Sequence, residues 1–400
     1  MIFKNDISKL LFKVVLNNGF NMILTFLYYT FISVFMLKEG YGTFFYNITV
    51  ITVATMLAEL GINIALQKTA NLSKNLNELN SYFYSALLLK FFLSIIVTTV
   101  IYLLNFIDHE YFLIFCFGIS VSLLYNHIIT YCQVINQEKK YLNLLIIGGV
   151  IRILVLAVLW YFGINDISIL ILSFFIVQLL IILLLQKKYA PISYKIDTKF
   201  IFNFIKVNKF LNLTTIVVAI LVKIEFFILK NFNNEELLDL FSLYFTYTLF
   251  IPPLIAAVNS TLIVRINKFK DLSHYISYSR KLVGIISILL FIVYTSIILL
   301  LRNILSFTHD DIFNYTLVFI ALASTLVVKP WGLLLHYFNK ENVVLKINSI
   351  QTIFALILGF LLLNTYGIFG LIISFAAQQI IANIFIFYSA KNHLKSTRKT

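Results

Sequence analysis

The chain has 400 residues, 60% of them hydrophobic and only 12% charged, which leaves no room for a soluble domain between its apolar runs. A net charge of +14 would suggest nucleic-acid binding in a soluble protein. Here most Lys and Arg residues lie in short gaps between long apolar runs, where they can face anionic lipid headgroups. The composition therefore indicates a multi-pass membrane protein and argues against nucleic acid as a partner.

Twelve apolar stretches are long enough to cross a hydrocarbon core of ~30 Å, which takes roughly 20 helical residues. In chain order the predicted spans cover residues 13–37, 44–66, 82–105, 111–136, 142–163, 167–186, 210–230, 237–264, 282–301, 312–338, 343–363 and 368–390. No cleavage pattern of small residues follows a short apolar core in the first stretch, so we expect it to remain as the first helix. The sequence thus predicts an all-α integral membrane protein.

Basic residues alternate between the two sides of these spans. They are concentrated at the N-terminus and in every second gap, whereas the other gaps hold only Lys38, Lys230 and Arg302. Because loops rich in Lys and Arg stay in the cytoplasm, the alternation predicts that both termini are cytoplasmic.

The longest gap divides the spans into six and six. It carries Pro191 and six lysines between Gln186 and Lys209. We therefore predict an N-terminal six-helix lobe (1–190), a cytoplasmic linker (191–209) and a C-terminal six-helix lobe (210–400) around a central cavity. Two lobes that rock around a midplane cavity form a transporter plan. A channel with the same number of spans would be expected to add a filter segment, and the sequence has no such motif.

Six ionisable residues fall inside the predicted spans, where a charge costs ~2.5–3.5 kcal/mol and normally faces a cavity or a partner. Four cations are predicted to bind substrate in a cationic cavity: Arg152, Lys223, Lys90 and Lys329. Two anions are predicted to serve ion coupling or charge compensation: Glu59 and Glu225. The excess of cations predicts a net positive interior.

Depth distinguishes among these charges. Arg152 and Lys223 lie too deep in their spans to reach the headgroups, so they are the stronger candidates for the cavity. Lys90, Lys329 and Glu59 lie nearer the cytoplasmic ends, where long side chains can snorkel. For Arg152, helix packing around a buried ion pair is the alternative interpretation, and for the three residues nearer the cytoplasmic ends it is snorkelling.

The positions of Lys223 and Glu225 differ by two, so on a continuous helix their side chains point to nearly opposite faces and cannot pair. Prolines add a second feature of the C-terminal half. Pro252, Pro253 and Pro330 lie within spans eight and ten, where each removes a helical hydrogen bond and predicts a kink. Whether those kinks bend during transport or are static is left open.

No pattern in the chain points to catalysis. The six histidines show no metal-ligand spacing, and no His-Glu-x-x-His, Gly-x-Ser-x-Gly or phosphate-binding loop occurs. We therefore predict no catalytic residue, no metal, no cofactor and no enzyme activity. The 40 Phe fit a general compositional bias, and we do not interpret them as a functional aromatic lining.

Three short motifs resemble those of a known family. They are Gly40-Tyr41-Gly42 before an aromatic residue, Glu59-Leu60-Gly61 near the end of span two, and Tyr366-Gly367-Ile368-Phe369-Gly370 before span twelve. With the proline-containing span eight, their order resembles the polysaccharide transporter family. This family includes the O-antigen flippases called Wzx, within the multidrug/oligosaccharidyl-lipid/polysaccharide exporter superfamily.

The resemblance implies a flippase of the bacterial inner membrane that moves an undecaprenyl diphosphate-linked oligosaccharide outward by alternating access, driven by an ion gradient, for O-antigen and lipopolysaccharide synthesis. Arg152 and Lys223 would then hold the anionic head group. The implied partners are the lipid-linked oligosaccharide and membrane lipids, with a polysaccharide polymerase and a chain-length regulator as further candidates.

Two alternatives stay open. A multidrug cation antiporter of the same superfamily would share the spans but should have an acidic cavity. A membrane enzyme of polysaccharide assembly, such as a polymerase or an acyltransferase, should have a large external loop or a histidine at membrane depth. His127 is the one deep histidine, and it has no evident partner in the sequence.

Overall fold

We describe the protein from a computed structural model. It describes residues 20, 23–36, 40–70, 76–135, 138–189, 196–197, 201, 204, 208–221, 223–232, 234–249, 251–252, 254–255, 258, 262, 272–304, 307–338 and 340–397. These residues form helices and short connections, and none of them lies in a β-strand.

The helices follow the predicted spans closely. In chain order they are α1 (Ile23–Phe35), α2 (Tyr41–Glu59), α3 (Ile62–Ala70), α4 (Leu76–Leu103), α5 (Phe112–Val134), α6 (Glu138–Tyr161), α7 (Ile167–Tyr189), α8 (Lys209–Leu221), α9 (Ile224–Asn231), α10 (Glu235–Thr246), α11 (Leu272–Ile304), α12 (His309–Tyr337) and α13 (Glu341–Thr397). Over these described segments, eight helices are long and apolar enough to cross a membrane, or nine when the bent pair α8–α9 is taken as one span. The predicted all-helical membrane fold is confirmed.

Predicted spans eleven and twelve both lie in α13. This 57-residue stretch is interrupted at Gly367, whose φ of 61° and ψ of −146° are not helical. Glycine adopts such angles without the clash that a Cβ would cause. The Tyr366–Gly370 motif therefore marks the point where one span ends and the next begins.

Predicted span two is broken, which corrects the expectation of one continuous helix. α2 ends at Glu59, and the next two residues, Leu60 and Gly61, have left-handed φ angles of 44° and 71°. A Cβ at Gly61 would lie 2.9 Å from Thr215 Oγ1 of α8, so α8 packs directly against the break. The break exists because a residue without a side chain allows this close approach.

Predicted span seven is also not one straight helix. α8 and α9 are bent by 46° relative to each other, and Lys223 lies at the turn that precedes α9. A helix end leaves backbone groups without helical partners, so a break at membrane depth has to be buried in protein or line a cavity.

Contacts divide the chain into two compact units, Leu27–Phe226 and the combination of Met1–Phe26 with Phe227–Thr400. Within the first unit, α2 packs on α4 and α5, while α7 packs on α5 and α6. Within the second, α12 packs on α13 and α11. Most of the predicted linker 191–209 lies outside the described residues, and the predicted lobe boundaries stay a prediction.

Candidate functional site

Arg152, on α6, lies among aromatic side chains of the first unit. Its guanidinium carbon is 4.2 Å from the centre of the Phe174 ring on α7. Tyr28 and Tyr29 of α1 and Tyr125 of α5 are close enough for the Arg152 charge to act on their hydroxyl groups. We call these five residues the Arg152 site.

The Arg152 side chain keeps hydrogen-bonding capacity that the protein does not use. Its Nε is buried and has no hydrogen-bond partner among the described residues. Stacking on Phe174 occupies the face of the planar guanidinium, whereas its five N–H donors point outward in the plane. A buried donor without an acceptor costs free energy, so the site favours an anionic ligand that accepts from this edge.

Helix packing fixes the position of Arg152. Gly148, one turn earlier on α6, contacts α7: a Cβ there would lie 2.2 Å from Ile181 Cδ1. The absence of a side chain at Gly148 therefore lets α6 approach α7, the helix that carries Phe174. The glycine thus serves helix packing.

Aromatic rings connect Arg152 with Lys223. The ring centroids of Phe174 and Tyr29 are 6.4 Å apart, and those of Tyr29 and Phe45 are 5.8 Å apart. Lys223 Nζ lies 5.3 Å from the Phe45 ring and 5.1 Å from the Phe226 ring. Two of the predicted substrate-binding cations thus lie on one aromatic cluster within the first unit.

Lys223 and Glu225 do not lie on one continuous helix. Lys223 lies at the turn before α9, and Glu225 contributes to its electrostatic environment. Both side chains are buried, with exposed fractions of 9% and 2%. The prediction that they cannot pair assumed one unbroken helix, and the turn at Lys223 removes that assumption.

Lys90, on α4, lies in a different environment. It is fully buried, its Nζ donates a hydrogen bond to Asn63 Oδ1 at 2.6 Å, and it lies 3.3 Å from Nδ1 of His127. Glu59, at the C-terminal end of α2, contributes an opposite charge. Lys90 therefore does not snorkel to the headgroups, in contrast to the alternative drawn from its position.

Glu59 and two amide side chains complete this group. Asn63 and Asn126 lie beside the Glu59 carboxylate, whose Oε1 is buried and makes no hydrogen bond to a described residue. We call Glu59, Asn63, Lys90, Asn126 and His127 the Lys90 cluster. It draws side chains from α2, α3, α4 and α5, so four helices meet around the buried Lys90 ammonium.

The remaining predicted site residues belong to the second unit. Lys329 is half-buried on α12, directly before the buried Pro330. α12 continues across Pro330, whose carbonyl oxygen accepts a hydrogen bond from the Tyr275 hydroxyl at 3.0 Å. Pro252 is exposed in a short helical segment, and Pro253 lies outside the described residues. The structure does not test their proposed roles.

Sequence reasoning missed the aromatic residues around Arg152 and the partner of His127. Phe174 and Phe45 were not separable from the many other Phe residues by any local pattern. His127 was singled out as the one deep histidine, but its neighbour Lys90 lies 37 positions earlier and no local pattern connects them. In the described parts of the chain, no three His, Cys, Asp or Glu residues are grouped so that they could hold a metal ion.

Comparison with solved structures identifies the fold. The chain is similar to VcmN, a MATE transporter of Vibrio cholerae, in a mutant form, with a TM-score of 0.64 at 15% identity over 99% of both chains. It is also similar to the MATE multidrug transporter DinF-BH, solved as a complex, with a TM-score of 0.68 at 14% identity over 96% of this chain and 95% of that one. An outward-facing multidrug resistance MATE family transporter of the MOP superfamily gives 0.70 at 12% identity, over 98% and 97%. These likenesses show the two-lobed fold of MATE transporters, as predicted.

Sequence comparison identifies the family. No curated protein shows a significant match to the chain. Residues 11–269, more than half of the sequence, match the family described as polysaccharide biosynthesis protein. The family match and the fold both point to a membrane transporter. The chain belongs to the polysaccharide biosynthesis protein family, as its glycine-containing motifs predicted.

Proposed function

We propose that the protein is a flippase that carries an isoprenoid diphosphate-linked oligosaccharide across the bacterial inner membrane by alternating access. The cytoplasmic placement of both termini and the ion coupling inferred from the resemblance belong to this proposal. The family match supports a role in polysaccharide synthesis, and the MATE fold supports transport. The chemistry of the solute has to be argued from the site.

The observation that carries the proposal is the environment of Arg152. A cation at membrane depth is expensive and is normally neutralised by an acid of the same protein. Arg152 is instead stacked on Phe174, and its buried Nε has no acceptor among the described residues. A diphosphate supplies both the missing charge and oxygen atoms that accept two parallel hydrogen bonds from one guanidinium edge.

Lys223 would extend the same site. It lies on the aromatic cluster that contains Phe174 and Tyr29, and an ammonium acts on phosphate as a point charge. Glu225 lowers the net positive charge near Lys223. In this account Arg152 orients the head group, and Lys223 adds attraction without fixing a direction.

A multidrug cation antiporter is the second candidate, because aromatic faces also bind organic cations. The solved structures with this fold include multidrug transporters. In this chain, however, the aromatic face of Phe174 already carries a guanidinium, which would repel a second cation. The arrangement therefore favours an anionic solute.

Complementation tests the proposal. The chain is expressed in cells that lack their own flippase for a matching repeat unit, and surface polysaccharide is measured at equal protein level. We expect Arg152→Ala to reduce it at least ~10-fold, because a hydrogen bond to a charged group contributes about 1.5–3 kcal/mol. Arg280→Ala is the matched control, since Arg280 is exposed on α11 and should not affect transport.

Other outcomes would point to the alternatives. Resistance to organic cations without surface polysaccharide would favour the antiporter. Normal translocation with a loss of repeat-unit polymerisation would favour a membrane enzyme. Equal activity of Arg152→Ala and the unchanged protein would remove Arg152 from the solute site.

A further inference from the structure

The break between α2 and α3 has the chemical features of a cation site. α2 ends there, and the C-terminal end of a helix carries a partial negative charge from its unpaired carbonyl groups. Glu59 is the last residue of α2, so its carboxyl group lies at this same end. Interrupted transmembrane helices of transporters commonly hold small cations at such ends.

The side chains around the break are suited to the same task. Asn63 offers its amide oxygen toward Lys90, and the Glu59 Oε1 is buried without a hydrogen bond to any described residue. Amide and carboxylate oxygens are the usual ligands of hard cations. The break is therefore lined by oxygen atoms that attract positive charge.

An ammonium group already lies at this position. Lys90 has an exposed fraction of 0%, and its Nζ is 2.6 Å from Asn63 Oδ1. An ammonium has three donors and no acceptor, so the His127 Nδ1 at 3.3 Å has to accept its hydrogen bond. His127 then carries its proton on Nε2 and is neutral, which makes it a further ligand rather than a competing charge.

Lys90 therefore differs from a solute-binding cation. Its donors meet an amide oxygen and an imidazole nitrogen, and its charge is opposed by Glu59. Nothing in this environment requires an additional anion. We propose that the C-terminal end of α2, with Glu59, Asn63 and His127, forms a monovalent-cation site whose permanent occupant is the tethered ammonium of Lys90.

The proposal makes a specific prediction for a protein without that ammonium. Lys90→Met keeps a long side chain but removes the positive charge that offsets Glu59, whose Oε1 is buried. A small monovalent cation should then enter the site and replace the lost charge. The inference does not depend on which solute the protein transports, and its test needs no substrate.

The experiment measures thermal unfolding of the purified protein in detergent at constant ionic strength, with NaCl replaced stepwise by choline chloride. We expect Lys90→Met to unfold at a lower temperature in choline and to recover saturably with Na⁺. The unchanged protein and Lys346→Met, in which an exposed lysine of α13 is replaced, should show no difference between the two salts. Choline is too large for the site, so it controls for ionic strength alone.

The double variant Glu59→Gln/Lys90→Met separates this proposal from general damage to the core. It removes both charges, so we expect it to regain folding and to lose the Na⁺ response. If the Lys90→Met protein is absent from membranes while the double variant accumulates to the normal level, the uncompensated charge of Glu59 is the cause of the loss, as the proposal requires. A Lys90→Met protein that unfolds at the same temperature in both salts, or a double variant that fails to accumulate, would overturn the proposal.

Discussion

Arg152 and Lys90 are two cations of the same contact unit, yet the protein treats them in opposite ways. Lys90 is fully buried and makes contacts with Asn63 and His127 in the field of Glu59. Arg152 is stacked on an aromatic ring, and its Nε has no acceptor in the described structure. The difference teaches that burial of a cation does not by itself indicate a solute site: the Lys90 ammonium has partners from the chain, whereas Arg152 Nε has none among the described residues.

The largest expected difference between the two residues is in stability. Lys90→Met should lower the free energy of unfolding by about 1–3 kcal/mol, because it removes the donor bonded to Asn63 and the charge that offsets Glu59. Arg152→Met leaves no acid behind and removes only the contact with the Phe174 ring, so it should lower it by less than about 2 kcal/mol. Denaturant unfolding of both variants, measured in the same detergent, checks the comparison. Equal losses would mean that the two cations have the same role.

Gly61 tests whether the Lys90 cluster depends on the helix break. Gly61→Ala should lower the free energy of unfolding by about 1–3 kcal/mol, since its left-handed φ of 71° strains any residue with a Cβ. The added methyl group would also lie 2.9 Å from Thr215 Oγ1. Gly284→Ala is the control, because a Cβ there meets nothing within 4 Å in a helix where Ala is preferred. A loss as large in the control would show that the break contributes no special strain.

The smallest expected effect concerns the aromatic support of Arg152. Phe174→Leu keeps an apolar side chain but removes the ring under the guanidinium, which contributes about 0.5–2 kcal/mol. We expect weaker complementation at unchanged protein level, to a lesser degree than for Arg152→Ala. Ile176→Leu, an exposed position on α7, is the matched control. A Phe174→Leu protein with full activity would show that the ring is not needed to orient the guanidinium.

The fold was largely predictable from the sequence because bilayer thickness sets the length of an apolar helix. Each predicted span overlaps a described helix, including the pair that meets at Gly367. The break at Gly61 was not predicted, although its Glu-Leu-Gly motif had been singled out. Hydropathy does not change across it, and the break depends on the approach of α8, which is a tertiary effect.

The candidate site was predictable only in part. The free-energy cost of placing a charge at membrane depth identified the charged residues. Their partners lie far away in the sequence, as Asn63 does for Lys90 and Phe174 for Arg152. Tertiary packing decides which helices contact one another, and a single sequence does not reveal those contacts. Depth separated Lys90 from Arg152 in the sequence, but it indicated neither the partners of Lys90 nor the ring beneath Arg152.

The most direct test of the account is the binding of an isoprenyl diphosphate to the purified protein. We expect the unchanged protein and Lys346→Met to bind it with the same affinity, and Arg152→Ala to bind at least ~10-fold more weakly, since a charged hydrogen bond contributes about 1.5–3 kcal/mol. The corresponding uncharged isoprenyl alcohol should not distinguish the variants. Undiminished diphosphate binding by Arg152→Ala would contradict the claim that this residue holds the anionic head group.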